Sequence, residues 1–380
     1  MALLFIISPF LSFILALREP LKRNNQIFIV LFFAVLGYYR MLERTGDAAF
    51  WTYRMLWMQT GGVEAFIRLV KKYSYFNIGY FLFLYLFSHI KYTAVIWSLI
   101  FSLTAINFLY IYEMHVRNVT HGRTSFLGAF LFFLFLGNIS FISFGIKFWL
   151  AFLLFVTGYS LVTLKDNKMA GNALIITSFF FHYSLAYLII IYYATVLLNS
   201  KKTKGTIIKI LLVLMVLVVF YVGYKYSNIS FLIKKLNHYS NKSMIGHMSA
   251  WIIADRVLIT LASILTITYT YVVGVKDKRN IQLRNFLLYF AIALIPLSMF
   301  LDGLDRYSRA FSFMTLLFII RLEACKQRLP LLLKNIILLT FSWHVVVNFI
   351  LRRGEVGFEI FYQSCAEFFT HGPMSIVFYD

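Results

Sequence analysis

Long apolar runs separated by short polar turns occupy most of this chain. A helix that crosses a bilayer needs about 20 apolar residues, or fewer when the helix is short or broken. The runs that meet this description lie at 2–17, 27–39, 92–112, 125–142, 148–164, 170–181, 183–198, 206–224, 256–274, 285–301, 308–322 and 330–350. The pattern therefore predicts an all-α polytopic membrane protein, a single integral membrane domain over residues 1–380 with about twelve transmembrane helices.

Three stretches of the pattern need separate interpretation. The apolar runs on either side of His182 are short, so they form either two thin spans or one broken helix. A further apolar stretch at 76–90 predicts a re-entrant or interfacial helix. The run that starts almost at Met1 has no basic segment before it and no small-residue cleavage pattern after it, so we expect it to be a retained first span.

Composition supports the membrane class and limits the chemistry. Hydrophobic residues make up 61% of the 380 positions, more than a soluble domain can bury. The two cysteines, Cys325 and Cys365, are too few for a disulfide framework and lack the spacing of metal ligands. There is no phosphate-binding Gly-rich loop and no paired-carboxylate metal motif. We therefore expect no use of ATP, no cofactor, no metal site and no nucleic-acid partner.

Alternate loops are short and basic, which predicts the orientation of the chain in the membrane. These loops contain Arg18, Lys22, Arg23, Arg117, Arg123, Lys165, Lys168, Lys201, Lys202, Lys204, Lys276, Lys278, Arg279, Arg284, Arg321, Lys326 and Arg328. Basic loops are retained in the cytoplasm. Both termini and the segments at about 40–77, 225–255 and 351–380 then face outward, together with shorter turns at 138–147 and 302–309.

The outward side is also rich in positive charge, which the orientation rule does not explain. The residues concerned are Arg40, Arg44, Arg54, Arg68, Lys71, Lys72, Lys147, Lys225, Lys234, Lys235, Lys242, Arg256, Arg306 and Arg309. Ionisable groups near apolar spans are costly and mark functional sites. We therefore expect an anionic ligand on this face.

Four of the outward positions have both a functional and a structural interpretation. Arg306 and Arg309 enter a membrane helix together and are suited to clamp a diphosphate, or they form local ion pairs with the aspartates four residues earlier. Lys147 lies at a helix N-terminus, where an anion is stabilised, or it extends to the headgroups. His182 is a candidate general base or a buried, hydrogen-bonded histidine. For His344, which has no charged neighbour in the sequence, we favour a place in the core.

Five short motifs follow one another in an order that is similar to a known family. They are Thr-Gly-Asp at 45–47 after an arginine, Phe-Trp-Thr-Tyr at 50–53, Gly-Ile-Lys-Phe-Trp-Leu-Ala at 145–151, Phe-His-Tyr-Ser at 181–184 and Arg-Tyr-Ser-Arg-Ala-Phe at 306–311. In sequence and spacing the chain resembles the EpsG-like branch of the Wzy group of bacterial surface-polysaccharide polymerases. The chain departs from the family where Thr-Gly-Asp-Ala replaces the frequent Gly-Thr-Asp-Tyr, and where Lys147 replaces an arginine.

The resemblance implies a fold like that of the metal-independent glycosyltransferase C superfamily, with a periplasm-facing cavity. It implies an O-antigen or capsule polymerase of the bacterial inner membrane, which moves a growing glycan from undecaprenyl diphosphate onto a new lipid-linked repeat unit. The implied partners are these lipid-linked glycans, membrane lipid and a separate chain-length regulator protein.

From the resemblance and the charges together we derive a mechanistic hypothesis. Arg306, Arg309 and Arg44 or Arg40 would hold the donor diphosphate, and Lys147 would share that task. The proton of the acceptor hydroxyl would pass to His182 or Asp47, and Tyr53 would orient the hydroxyl.

Two other functional classes fit the sequence in part. A lipid-linked oligosaccharide flippase or other carrier would share the helices and the cationic cavity, but it should show an internal repeat and charges reachable from both sides. A membrane O-acyltransferase that modifies surface glycans is suggested by the intramembrane histidines, and His344 would then matter more than Arg306.

Overall fold

A computed structural model describes residues 1–40, 46–73, 77–116, 145–199, 250–297, 301–325, 327 and 329–350. Side chains at 39–49, 250–252, 295–305 and 348–350 are outside that description. About 90% of the described residues are helical and none of them forms a strand. The predicted all-α class is therefore confirmed for this part of the chain. The predicted spans at 125–142 and 206–224 lie outside the described residues.

The described helices follow the apolar runs closely. In chain order they are α1 (Ala2–Ile7), α2 (Pro9–Ala16), α3 (Arg23–Arg40), α4 (Gly46–Tyr73), α5 (Ile78–Ser88), α6 (Thr93–Val116), α7 (Ile146–Lys165), α8 (Lys168–Phe181), a 3₁₀ turn (Tyr183–Leu185), α9 (Ala186–Leu198), α10 (Ala250–Val273), α11 (Lys278–Leu297), α12 (Leu301–Ala324) and α13 (Leu331–Ile350).

Three of the described segments are long and apolar enough to cross a membrane: α6, α7 and residues Ile253–Val273 of α10. Shorter apolar helices are α5, α8, the segment Tyr183–Leu198 and most of α13. One side of α10 exposes large apolar side chains, including Val257, Leu258 and Leu261, as expected of a surface that meets lipid. The membrane class is thus supported, while the count of about twelve spans stays a prediction.

Two segments that were predicted to lie between membrane spans are helical in the structure, because their polar residues lie inside helices. Residues 302–309 were expected to form an outward turn, but α12 already begins at Leu301. The segment 40–77 contains the 28-residue helix α4, which bends where Gly62 has φ 55 and ψ −143. Only glycine adopts that conformation without strain. Buried and exposed residues alternate along α4 with helical periodicity, so this amphipathic helix carried no long apolar signal.

The helix α12 is the centre of the described bundle. Every residue from 307 to 324 is buried, and α6, α10 and α11 pack against it. A helix with apolar residues on all sides belongs in a core, and Phe311 and Phe313 lie on nearly opposite sides of this one. Its polar side chains are concentrated toward the two ends, with Arg309 near the first turns and Arg321 near the last.

Helices α7 and α8 form a tight antiparallel hairpin. Asp166 closes α7 in the left-handed conformation with φ 56, and the Asn167 side chain accepts a hydrogen bond of 3.2 Å from the Ala170 N–H to start α8. A Cβ placed on Gly158 would come within 2.5 Å of the Gly171 carbonyl oxygen. Small residues therefore allow these two backbones to approach closely.

Charged turns gather at one end of the bundle, which we call the basic end. Here the turn between α7 and α8 meets the start of α11, because Arg279 Nη2 lies 3.2 Å from Asp166 Oδ2. Arg321 Nη2 lies 2.9 Å from Asp277 Oδ2, and the Arg321 Nε donates to Asn280 Oδ1 at 2.5 Å. The helices run from this end to the opposite one, which holds the start of α7, the start of α12 and the break between α8 and α9.

Candidate functional site

The predicted site residues are described to different extents. The side chains of Arg40, Arg44 and Asp47 lie outside the described residues, as do those of Asp302 and Asp305. The structure places the remaining candidates at the end of the bundle opposite the basic end. There they separate into an aromatic junction, a buried charged cluster and an exposed face of α4.

Lys147 is surrounded by aromatic rings. Its Nζ lies 5.8 Å from the centroid of the Trp51 ring, 5.8 Å from that of Tyr80 and 5.6 Å from that of Phe81. The rings of Trp51 and Tyr80 meet edge to face at 5.0 Å. Cation–π contacts of this kind stabilise an ammonium by about 0.5–2 kcal/mol. The charge of Lys147 is therefore oriented by α4 and α5, which the sequence did not indicate.

Phe148 connects Lys147 to two other motifs. Its ring lies 5.7 Å from the ring of His182 and 5.8 Å from that of Tyr307, edge to face in both cases. The Tyr307 hydroxyl donates a 2.5 Å hydrogen bond to the carbonyl oxygen of Ser184. We call Trp51, Lys147, Phe148, His182 and Tyr307 the aromatic junction. Segments that are far apart in the chain meet there, each through one of the predicted motifs.

His182 occupies the break between α8 and the 3₁₀ turn. Its backbone is extended, with φ −152 and ψ 110, so the two apolar runs are separate helices. Its Nδ1 accepts a 3.3 Å hydrogen bond from the Ser184 N–H and lies 2.7 Å from the Ser184 hydroxyl. The side chain thus caps the following turn, in the way that asparagine and aspartate cap helices.

The two arginines of the predicted clamp have different surroundings. Arg306 is exposed, whereas Arg309 is 3% exposed and lies inside the bundle. Tyr307 and Arg309 are two residues apart and therefore point in directions about 200° apart around α12. Arg309 is accordingly on the far side of α12 from the aromatic junction, toward α10 and α13.

A buried charged cluster, formed by Asp255, Arg256, Arg309 and His344, is the part of the site that sequence analysis missed. Asp255 Oδ2 lies 2.8 Å from His344 Nδ1 and forms an ion pair with Arg256 Nη1. Arg309 lies close enough to interact electrostatically with Asp255 and His344. The four residues come from α10, α12 and α13, and they are 0, 4, 3 and 3% exposed.

The expected surroundings of His344 need correction. His344 is buried, as predicted, but it has charged neighbours, because α10 packs against α13 and brings Asp255 to the imidazole. Arg256 was expected at the outward start of the span 256–274, whereas α10 already starts at Ala250 and the side chain is buried. An Asp-Arg pair at the start of an apolar helix was the available signal, since such a pair needs buried partners.

Tyr53 and Arg54 belong to the exposed side of α4. Tyr53 is 66% exposed, and it lies two residues from Trp51, on the other side of the helix. The Arg54 Nη2 donates a 2.6 Å hydrogen bond to the Tyr73 hydroxyl, and its guanidinium lies 4.8 Å from the Phe50 ring centroid. Tyr53 is therefore outside the aromatic junction.

Two other features of the described residues bear on the chemistry. No group of three or more His, Cys, Asp or Glu residues among them is placed to hold a metal ion. A groove of about 470 Å³ between α3 and α6 is lined by apolar residues together with Arg23, Gln26, Tyr110 and Glu113. None of the predicted site residues lines this groove.

The chain was also compared with known proteins. No protein-family model, no curated protein and no solved structure matches it.

Proposed function

We propose that this protein polymerises bacterial surface polysaccharide, as an O-antigen or capsule polymerase. The observation that carries the proposal is the aromatic junction, where residues of four of the five motifs contact one another at one end of the bundle. Motifs that serve one reaction must meet in space, although they are separated by many residues in the chain.

The reaction transfers the growing glycan from undecaprenyl diphosphate to a hydroxyl of a new lipid-linked repeat unit. Negative charge builds up on the leaving diphosphate as the glycosidic bond breaks, and positioned cations stabilise that charge. Lys147, Arg306 and Arg309 are three of the described cations at this end, with Lys147 in the aromatic junction and Arg309 on the other side of α12. Arg40 and Arg44 precede the same junction in the chain and complete the proposed set.

The proposed setting is the bacterial inner membrane. The basic end would face the cytoplasm, as positively charged turns generally do, and the aromatic junction would then face the periplasm. The full chain would have about twelve spans and a cavity like that of the glycosyltransferase C superfamily. Lipid-linked glycans, membrane lipid and a chain-length regulator would be its partners.

The test uses the purified full-length protein in detergent with a synthetic repeat unit on a polyprenyl diphosphate, without nucleotide or added metal. We expect a ladder of products on a gel, spaced by one repeat unit. The Arg306→Ala, Arg309→Ala double variant should abolish the ladder while the protein still elutes as a single folded species. Arg279→Ala removes an arginine at the basic end and is the matched control.

Two results would contradict the proposal. One is the absence of a ladder from folded wild-type protein supplied with matched repeat units. The other is a wild-type ladder from the double variant, which would remove the clamp from the mechanism.

The contact between Asp255 and His344 favours one second candidate, a membrane O-acyltransferase. Transfer of an acyl group to a sugar hydroxyl also needs a base, and a carboxylate that orients a histidine is a frequent arrangement for that task. Folded protein that forms no ladder but transfers a labelled acyl group to the glycan would support this candidate instead.

A further inference from the structure

The charged cluster of Asp255, Arg256, Arg309 and His344 is costly to keep inside a membrane protein. Charged side chains at this depth lower stability unless they pair with one another. Apolar residues of similar size would pack in the same place without that cost. Such a cluster is therefore a candidate for function rather than for stability alone.

The hydrogen bonds of the cluster determine which nitrogen of His344 is basic. Asp255 Oδ1 and Oδ2 lie 3.1 and 2.8 Å from His344 Nδ1. Arg256 Nη1 also lies 3.3 Å from Nδ1, but this guanidinium nitrogen is paired with the Asp255 carboxylate. An ionised carboxylate can only accept hydrogen bonds, so the shorter contact to Asp255 places the hydrogen on Nδ1. In the neutral ring the lone pair then belongs to Nε2, which is the atom that can take up a proton.

The hydrogen bonds of His182 determine the opposite tautomer. Nδ1 accepts from the Ser184 N–H, so in the neutral ring the hydrogen belongs to Nε2. That nitrogen can donate a hydrogen bond but has no lone pair with which to accept a proton. Of the two histidines, His344 is therefore the one whose hydrogen bonds prepare it to act as a base.

The position of His344 also fits the chemistry of transfer. Arg309 belongs to the proposed clamp for the donor diphosphate, and it lies within electrostatic reach of both Asp255 and His344. A transferase needs a cation at the leaving group and a base at the attacking hydroxyl, close to one another. The buried cluster brings both kinds of group together on three helices.

We propose that His344, oriented by Asp255, is the base of the glycosyl transfer. This inference rests on the proposed function and names a residue for it. The acceptor hydroxyl oxygen forms a bond to the anomeric carbon, the bond from that carbon to the diphosphate breaks, and the electron pair leaves with the diphosphate. The hydroxyl proton passes to His344 Nε2, and the resulting imidazolium is stabilised by the Asp255 carboxylate.

The first test is the variant His344→Asn in the same assay. Asparagine retains an N–H donor for Asp255 but has no basic nitrogen. We expect kcat to fall by about 10²–10⁴-fold, the usual effect of losing a general base, while KM for the lipid-linked donor changes little. His115→Gln is the matched control, because His115 is also buried, lies next to Ser160 at the basic end, and should keep wild-type turnover.

The second test examines the two residues as a unit. Asp255→Asn should lower kcat, and the double variant Asp255→Asn, His344→Asn should be no slower than His344→Asn alone, since residues that act together are not additive. A purely structural role of Asp255 would add a second loss. Size-exclusion profiles show whether each variant is folded.

The comparison with His182 keeps the inference testable if the His344 variant does not fold. His182→Asn retains an acceptor for the Ser184 N–H, so we expect a smaller loss of kcat than the general-base range. A loss of about 10²-fold or more in His182→Asn, or near-wild-type turnover in His344→Asn, would overturn the assignment. A wild-type protein that makes no ladder would refute the proposed function itself, which is a different result.

Discussion

At the scale of single residues, Lys147 is the candidate whose surroundings the structure describes in most detail. Its ammonium lies among the rings of Trp51, Tyr80 and Phe81, so the charge has a fixed position at the start of α7. A positive charge at a helix N-terminus adds to the field that attracts an anion. Lysine at this position can therefore serve as a point charge for a diphosphate, although it lacks the arginine fork.

We expect Lys147→Gln to raise KM for the lipid-linked donor by about 10–100-fold, since a hydrogen bond to a charged group contributes about 1.5–3 kcal/mol. Lys147→Arg keeps the charge and is the matched variant, with KM expected within a few-fold of wild type. Steady-state kinetics at increasing donor concentration measure both. Equal KM values for wild type and Lys147→Gln would exclude a contact between Lys147 and the donor.

Single residues also show the limits of the sequence. Lys147 and His182 could be chosen as candidates from the sequence because each lies beside an apolar run and belongs to a recognisable pattern. The contact between Asp255 and His344 joins residues 89 positions apart in the sequence. A local sequence pattern cannot indicate a contact between residues so far apart in the chain. The different surroundings of Arg306 and Arg309 depend on how α12 is rotated against its neighbours, which periodicity alone does not determine.

At the scale of helices, the interface between α7 and α8 sets the position of two motifs. Lys147 lies at the start of α7 and His182 at the end of α8, and Phe148 bridges them. A Cβ on Gly171 would lie 2.5 Å from Val162 Cγ2 and 2.7 Å from the Gly158 carbonyl oxygen. The distance between the two helices therefore depends on both glycines.

We expect Gly171→Val to destabilise the folded protein by about 1–3 kcal/mol, the usual cost of overpacking, and to reduce activity by moving α8. Ala173→Val places the same side chain on an exposed position of α8 and is the control. Thermal unfolding in detergent, followed by fluorescence, compares the two. A Gly171→Val protein as stable as the control would mean that this interface tolerates separation.

The apolar pattern predicted helices well where the pattern was long, as in α6 and α7. It failed at α4 and at the start of α12 for a common reason. Both segments contain charged residues, and a hydropathy pattern assigns such residues to loops, whereas helical periodicity of buried positions continues through them. Amphipathic periodicity in 46–73 was the signal available for α4.

At the scale of the whole molecule, α12 joins the two ends of the bundle. Arg309 and Arg321 are twelve residues apart, which corresponds to about 18 Å along the helix axis. Arg321 pairs with Asp277 at the basic end, while Arg309 lies beside Asp255 at the other. The polar layers are thus separated by an apolar length of α12 that contains Phe311 and Phe318.

This separation predicts which side of the membrane each end faces. The background is a chain whose two cysteines are replaced by serine, in cells whose outer membrane is permeabilised and whose inner membrane is intact. In these cells Glu64→Cys, on the exposed side of α4, should react with a maleimide that cannot cross the inner membrane. Lys168→Cys, exposed at the basic end, should react only after the membrane is opened. The physical reason is that cytoplasmic loops retain their lysines and arginines during insertion. The aromatic junction lies at the end of the bundle opposite the basic turns, so its location follows from the orientation of that end. Labelling of Lys168→Cys alone from outside would mean that the orientation is the reverse of the one proposed. Labelling of both positions from outside would contradict the proposed periplasmic location of the aromatic junction.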